Sequence, residues 1–348
     1  MFDINNILRE NIKKTKPYSS ARDEYKGNEG VFLDANENPL GSATKDNYSR
    51  YPDPLQKEVK VLLGKLKNTD PSQIFLGNGS DEAIDLLYRA VCKPGVDNVI
   101  TMPPTYGMYD VSASINDIQV KEIPLSPDFE IQTEKVLAAI NTNTKMIFIC
   151  SPNNPTGNCM KEESIEKIIT SFNGIVVIDE AYIDFAPSKT FVGKLNQYPN
   201  LVILQTFSKA WGLAGLRLGI AYASKEIIAV INKIKPPYNI NQYSQILAIE
   251  ALGALEKKEE MVAEILSQRA SLIKQFSEIK FITKIYPSDA NFVLIKTEDG
   301  KKVYDFLIEK KIITRDRSKI ILCEGCVRVT VGKKEENELL VKVLKEYK

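Results

Sequence analysis

Residues 201–219 read LVILQTFSKAWGLAGLRLG. The first four are a short apolar run, the pattern of a buried strand. The remainder is small, apolar and glycine-spaced except for two cations, Lys209 and Arg217. Lysine prefers water, so an amine in a segment otherwise suited to packing calls for an explanation. If it is desolvated, its pKa falls and the neutral amine becomes a nucleophile suited to Schiff-base formation.

Outward from this stretch, similar runs recur. QIFLG, NVITM, KMIFIC, GIVVIDE, LVILQT and LGIAYA lie between about residues 60 and 225. Most are nearly continuous in apolar character, as strands buried on both faces are. Helix-length amphipathic patterns such as SDEAIDLLYRAV and KEESIEKIIT separate several of them. The alternation predicts an α/β fold, with a mostly parallel central sheet and helices on both faces. Residues 240–276 read as long helix. ANFVLIK, KKVYDFLIEKK, CVRVTVG and EENELLVKVLKEYK follow, the pattern of a smaller α+β domain. KIKPPYN punctuates the boundary. The expected division is an arm over 1–30 that packs with the small domain, a large domain over 31–235 and a small domain over 236–348.

Composition narrows the function. The 348 residues carry 46 Lys+Arg against 45 Asp+Glu, so there is no basic surplus for nucleic acid. No apolar run approaches a membrane span. The first twenty residues lack an apolar signal core, so a cytoplasmic protein is expected. Five cysteines, an odd number in a long chain, argue against a disulfide framework. Cys323 and Cys326 form a C-x-x-C without a second ligand pair, and read as two thiols near a strand. The chain has no histidine. That excludes histidine-based triads and the usual zinc sites, and no metal is expected. Proton transfer falls to Lys, Asp, Glu, Tyr or Cys.

The unusual residues fall just after the strands: GNGSDE, PPTYGMY, SPNNPTG, DEAY and TFSK. Ligands of open α/β sheets bind at the carboxyl ends of strands. GNGSDE leads into a helix N-terminus that suits a phosphate; it also reads as a plain cap, with Ser80 capping. Asp179 of DEAY ends an apolar strand and either caps the next turn or meets a cation; Glu180 reads as structural. NNPTG is turn chemistry. Tyr106 offers a stacking ring or simple packing, and Arg217 taken alone reads as a surface or paired arginine. Together, a desolvated lysine, a phosphate cradle and a strand-end aspartate match pyridoxal phosphate (PLP), which needs a Schiff-base lysine and an acid partner for its ring nitrogen.

PNNPTG, DEAY and TFSKAWGLAGLRLG, in that order and spacing, resemble the fold-type I PLP-dependent aminotransferases of class II. LDANENPLG, RYPDP, GNGSDEAIDLL, PPTYGMY, KPPYNIN, DANFVL and VRVTVG together resemble the histidinol-phosphate aminotransferase family, from about Tyr18 to Glu336. Aromatic aminotransferases and threonine-phosphate decarboxylases share the skeleton. The resemblance implies a catalytic Lys209 that holds the cofactor aldehyde and then moves the substrate proton. It implies Asp179 on the pyridine nitrogen, Tyr182 and Asn154 on the phenolic oxygen, and Tyr106 stacked on the ring. Ser80, Asp81, Thr206, Ser208 and Arg217 would surround the cofactor phosphate. Tyr51 would reach across a homodimer interface into the partner's site. Arg328, with a second arginine near Arg315 in RDRSK (which also contains Arg317), would hold the substrate anion, and Tyr18 and Asn36 would line the substrate pocket. The implied reaction exchanges an amino group between L-histidinol phosphate and 2-oxoglutarate, in histidine biosynthesis.

Overall fold

The computed structural model describes residues 2–18 and 29–347. Seven strands form the central sheet, in the order β1-β7-β6-β5-β4-β2-β3. They are β1 (Ile74–Asn78), β2 (Asn98–Thr101), β3 (Gln119–Glu122), β4 (Thr144–Cys150), β5 (Ile175–Asp179), β6 (Leu201–Thr206) and β7 (Leu218–Ala223). β7 runs antiparallel to both its neighbours, and every other pairing is parallel. All six apolar runs are strands. QVKE of β3 gave no signal, because an edge strand with a burial pattern of exposed and half-buried residues has no apolar run to show.

The continuous apolar character has a direct cause. Successive side chains point to opposite faces, and both faces are covered. Ile147 and Ile149 of β4, Val176 and Ile178 of β5, and Leu201 and Ile203 of β6 enter one core layer. Met146, Phe148, Ile175, Val177, Val202 and Leu204 enter the other. The second layer is closed by the helices Gly79–Val91 and Lys225–Ile234, whose apolar stripes include Ile84, Leu87, Ile227 and Ile231.

A second sheet, order β10-β11-β9-β8, is antiparallel throughout: β8 (Ile282–Ile285), β9 (Phe292–Thr297), β10 (Arg315–Asp316) and β11 (Cys326–Thr330). Val293, Ile295, Val327 and Val329 pack there against Leu272 and Phe276 of the helix Leu255–Phe276 and against Leu340 and Leu344 of the helix Lys334–Leu344. No helix among the described residues is long and apolar enough to cross a membrane.

The packing of the arm and the continuity of the long helix differ from expectation. The described part of the N-terminal arm packs on the large unit, not the small one: Ile4 and Leu8 are buried in its second core layer. Arg9 donates to the carbonyls of Arg89 (3.0 Å) and, through its backbone N–H, Ala90 (3.0 Å). The arm thus meets the last turn of the helix Gly79–Val91, which sequence order alone does not reveal. Residues 19–28 of the predicted arm lie outside the described residues. The stretch read as one long helix is two, Gln242–Leu252 and Leu255–Phe276, separated at Gly253 and Ala254. Ile240 and Ala248 are buried in the same core layer as β4, β5 and β6.

Candidate active site

Because six strands run one way, their carboxyl ends share one edge of the sheet. β7 runs the other way, so its beginning lies at that edge, and this brings Arg217 and Gly219 beside the start of the helix Gly79–Val91. Gly79 donates its N–H to the Arg217 carbonyl at 2.7 Å. Gly219 is where the approach is tightest: a Cβ there would lie 2.1 Å from Ser80 N and 2.2 Å from Gly79 C. Only glycine allows the strand and the helix N-terminus to meet in this way. Ser80 is the second residue of this helix, and the N-cap position belongs to Asn78, which makes no side-chain cap. The expected Ser80 cap is therefore corrected. Ser80 lines a cavity of about 130 Å³ instead.

That cavity gathers the residues at the strand ends. Ser80, Asp81 and Arg217 line one side; Thr206, Ser208 and Lys209 follow β6; Tyr106, Asn154, Asp179 and Tyr182 complete it. Thr206 Oγ1 accepts from the Ser208 N–H at 3.0 Å and lies 2.9 Å from the Ser208 hydroxyl. Arg217 approaches Asp81 at 3.6 Å, and Asp81 also accepts from the Tyr106 hydroxyl at 3.1 Å.

Asp179 closes the bottom of the cavity. It is buried and accepts from the Tyr109 hydroxyl at 2.8 Å and from the Ala181 N–H at 3.0 Å. Burial pushes its carboxyl up to about 6, against these two hydrogen bonds and the attraction of Lys209, which lower it. It thus both caps the following turn and lies within the field of a cation. Tyr109, which sequence reasoning did not single out, is the side-chain donor to Asp179. It is fully buried, stacked on Phe148 at 4.7 Å and edge-on to Tyr106 at 5.5 Å. PPTYGMY contained it, but Tyr106 lies before the helix Met108–Ile115 and Tyr109 within it, so no helical spacing linked the two.

The Lys209 pKa is lowered, first by desolvation and then by Arg328 and Arg217, with Asp179 and Asp81 opposing. Lys209 is nonetheless exposed, so the structure does not give the fully desolvated amine that the sequence led one to expect; the two neighbouring arginines lower its pKa in the same direction as the partial burial. Its amine lies 5.5 Å from the Tyr182 ring centre. Burial raises Tyr182 to about 12, partly offset by Arg328. Glu180, beside Asp179, points away: it accepts from the Phe191 N–H (2.7 Å), the Thr190 hydroxyl (2.7 Å) and the Gln205 amide (2.8 Å). Its expected structural role is the one observed.

The small sheet delivers arginines to the same place. Arg328 donates to Asn154 Oδ1 and lies over the Phe292 ring at 5.1 Å. Arg315 is its cross-strand partner, and Arg317 stands two residues further along. Arg315 is exposed, whereas Arg317 and Arg328 are half-buried. Burial, then the charges of Arg328 and Arg315, bring Arg317 down to about 10. The Nε atoms of both Arg317 and Arg328 are buried without a hydrogen-bond partner. No ion pair of any of the three is found among the described residues.

Tyr18, Asn36 and Tyr51 lie apart from Lys209. They line a second cavity of about 1120 Å³, where Tyr51 stacks on Tyr238 at 4.5 Å. No cluster of ligands that could hold a metal occurs among the described residues. Cys323 and Cys326 are both free and buried, as expected of incidental thiols.

The family model for class I and II aminotransferases matches residues 24–344. The chain belongs to this family. It is 61% identical to a histidinol-phosphate aminotransferase of Cytophaga hutchinsonii, over 99% of each chain. The fold is shared with the crystal structure of the histidinol-phosphate aminotransferase from Clostridium acetobutylicum (28% identity, TM-score 0.80, 86% of this chain and 90% of that one). It is also shared with the Sinorhizobium meliloti enzyme, solved in complex with pyridoxal-5'-phosphate (24% identity, TM-score 0.79, 90% and 89% covered). The chain is therefore an enzyme, an aminotransferase, on the fold that the strand-end residues predicted.

Proposed function

We propose that the chain is a pyridoxal-phosphate-dependent histidinol-phosphate aminotransferase, exchanging an amino group between L-histidinol phosphate and 2-oxoglutarate to give imidazole acetol phosphate and L-glutamate. The donor set fits the cofactor. The Gly219 cradle, with Ser80, Thr206, Ser208 and Arg217 around it, suits a phosphate at a helix N-terminus. Lys209 would hold the aldehyde, Asp179 the ring N–H, and Asn154 and Tyr182 the phenolic oxygen, with Tyr106 against the ring. When bound, the cofactor supplies an electron sink for negative charge at the substrate Cα.

The chain's own residues do the rest. With no histidine in the sequence, Lys209 carries the proton at the substrate Cα. Its lowered pKa favours the neutral amine that a base needs. Asp179, charged above about pH 6, holds the proton on the ring nitrogen. Tyr109 and the Ala181 N–H keep its carboxylate oriented.

The observation that carries the substrate is the arginine cluster. Arg317 and Arg328 are like charges held half-buried, each with an unpartnered buried Nε, and no acid neutralises them among the described residues. Such an arrangement is stable when an anion completes it, and planar guanidinium groups bind phosphate and carboxylate alike. One pair thus serves the phosphorylated amine in one half-reaction and the dicarboxylate in the other. Of the two arginines in RDRSK, the partly buried Arg317 fits this role better than the exposed Arg315.

We further propose a homodimer. Val31, Leu33 and Leu40 are 88%, 89% and 94% exposed, an apolar segment next to the cavity of Tyr18, Asn36 and Tyr51. A second copy would cover it and bring Tyr51 to the partner's site.

The test compares histidinol phosphate with histidinol as amine donor. A strong preference for the phosphorylated donor, with 2-oxoglutarate as acceptor, supports the reading. Equal turnover of phenylalanine or tyrosine would make the protein an aromatic aminotransferase, and release of carbon dioxide without a keto acid would make it a decarboxylase.

A further inference from the structure

We propose that Asp289 is a positioning residue that clamps the loop carrying Asn154 to the start of β9, and so sets where the Arg317/Arg328 pair meets the substrate anion. This rests on the reading of the arginine cluster given above.

Asp289 lies 39 residues before Arg328 and does not line the cofactor cavity. Its side chain accepts from the Cys159 N–H at 2.9 Å and from the Lys189 ammonium at 3.1 Å. Its own N–H donates to the Gly157 carbonyl at 2.7 Å. Gly157 has φ +89°, and a Cβ there would lie 2.7 Å from the Ser288 hydroxyl, so the loop and the small unit are in close contact. From this grip the chain runs through Ala290, whose carbonyl accepts from Arg269 at 2.6 Å, to Phe292. Phe292 packs edge-on against Tyr182 at 5.1 Å and lies under the Arg328 guanidinium. β9 then pairs with β11, with Leu294 opposite Arg328. Arg328 returns to Asn154 in the same loop.

The small unit therefore holds one loop at two points, at Asn154 and at Gly157–Cys159. The first grip is the arginine itself, which must also bind substrate. The second is independent of substrate, and without it Asn154 would be the side-chain grip that remains between Arg328 and this loop. Lys189 comes from a third segment and is half exposed, so its ion pair contributes little beside the backbone hydrogen bonds.

The test uses the full-length holoenzyme and reads KM and kcat for histidinol phosphate and for histidinol, with inorganic phosphate as competitive inhibitor. Asp289→Ala is expected to raise KM for histidinol phosphate and the inhibition constant of phosphate about tenfold, the scale of one charge-assisted hydrogen bond. The kcat and the KM for histidinol should change by less than about twofold, as for any contact that acts only through the anion site. Asp289→Asn keeps an acceptor for Cys159 N–H and should recover most of the loss; Lys189→Ala should stay near wild type. An unchanged KM and inhibition constant would overturn the clamp, as would equal losses with both donors. Asparagine as damaging as alanine would overturn its hydrogen-bond basis. If Asp289→Ala does not fold, Asp289→Asn carries the test with a smaller shift in the same direction. A wild-type enzyme that does not discriminate between the donors would instead defeat the proposed function.

Discussion

The Tyr109 hydroxyl donates to the Asp179 carboxylate at 2.8 Å, both groups buried beneath the cavity that holds Lys209. The tyrosine is one of two donors that offset the burial of this carboxylate. Tyr109→Phe removes that donor without changing shape. The Asp179 pKa should rise above about 6, and the acid limb of the pH profile of kcat/KM should move to higher pH. Activity near neutrality should fall about threefold to tenfold, the value of one hydrogen bond to a charged group. A profile superimposable on wild type would remove Tyr109 from the site.

Glu180 gives a prediction about stability. Burial raises its carboxyl to about 7, despite hydrogen bonds from Phe191, Thr190 and Gln205 that lower it. A folded-state pKa above the unfolded one means that the folded protein binds the extra proton. That contribution is present at acid pH and is lost as pH rises through about 7. Glu180→Gln cannot titrate. It should cost stability at every pH through its altered hydrogen bonds, but its Tm deficit should shrink between pH 5 and pH 8. Parallel curves in thermal melts would contradict this assignment.

Gly219→Ala should be severe. The added methyl would meet Ser80 N at 2.1 Å and Gly79 C at 2.2 Å, which is backbone that cannot step aside. We expect a loss on the order of 3 kcal/mol in chemical denaturation and weakened cofactor retention. A variant of wild-type stability would show that β7 and the helix can separate freely.

The arginines should separate by burial. Arg328→Ala and Arg317→Ala should each lower kcat/KM for histidinol phosphate on the order of 10- to 100-fold, while Arg315→Ala falls less. The Arg328 and Arg317 losses should be smaller with an unphosphorylated amine. Equal losses across donors would mean that the anion pocket lies elsewhere.

The sheet was legible because burial on both faces leaves a simple trace, as in IVVI of β5 and LVIL of β6. The strand-end positions of Lys209, Asp179, Asn154 and Arg217 came with it. What was not legible depended on contacts between distant segments. The arm's packing on the helix Gly79–Val91, the hydrogen bond from Tyr109 to Asp179 and the choice between Arg315 and Arg317 leave no periodicity in the chain. Ser80 reads as a cap by residue type, yet Asn78 holds that position because Gly79, at φ +71°, begins the helix one residue earlier.

Lys209 is the residue on which the proposed chemistry stands, and the absorption spectrum of the purified protein tests it most directly. The spectrum is recorded with cofactor, then after adding histidinol phosphate, then after adding 2-oxoglutarate. The expected result is a visible cofactor band that bleaches with the amine and returns with the keto acid, and a Lys209→Ala protein that retains cofactor only non-covalently and shows no turnover. A wild-type protein without a visible band even when cofactor is supplied, or an active Lys209→Ala variant, would contradict it.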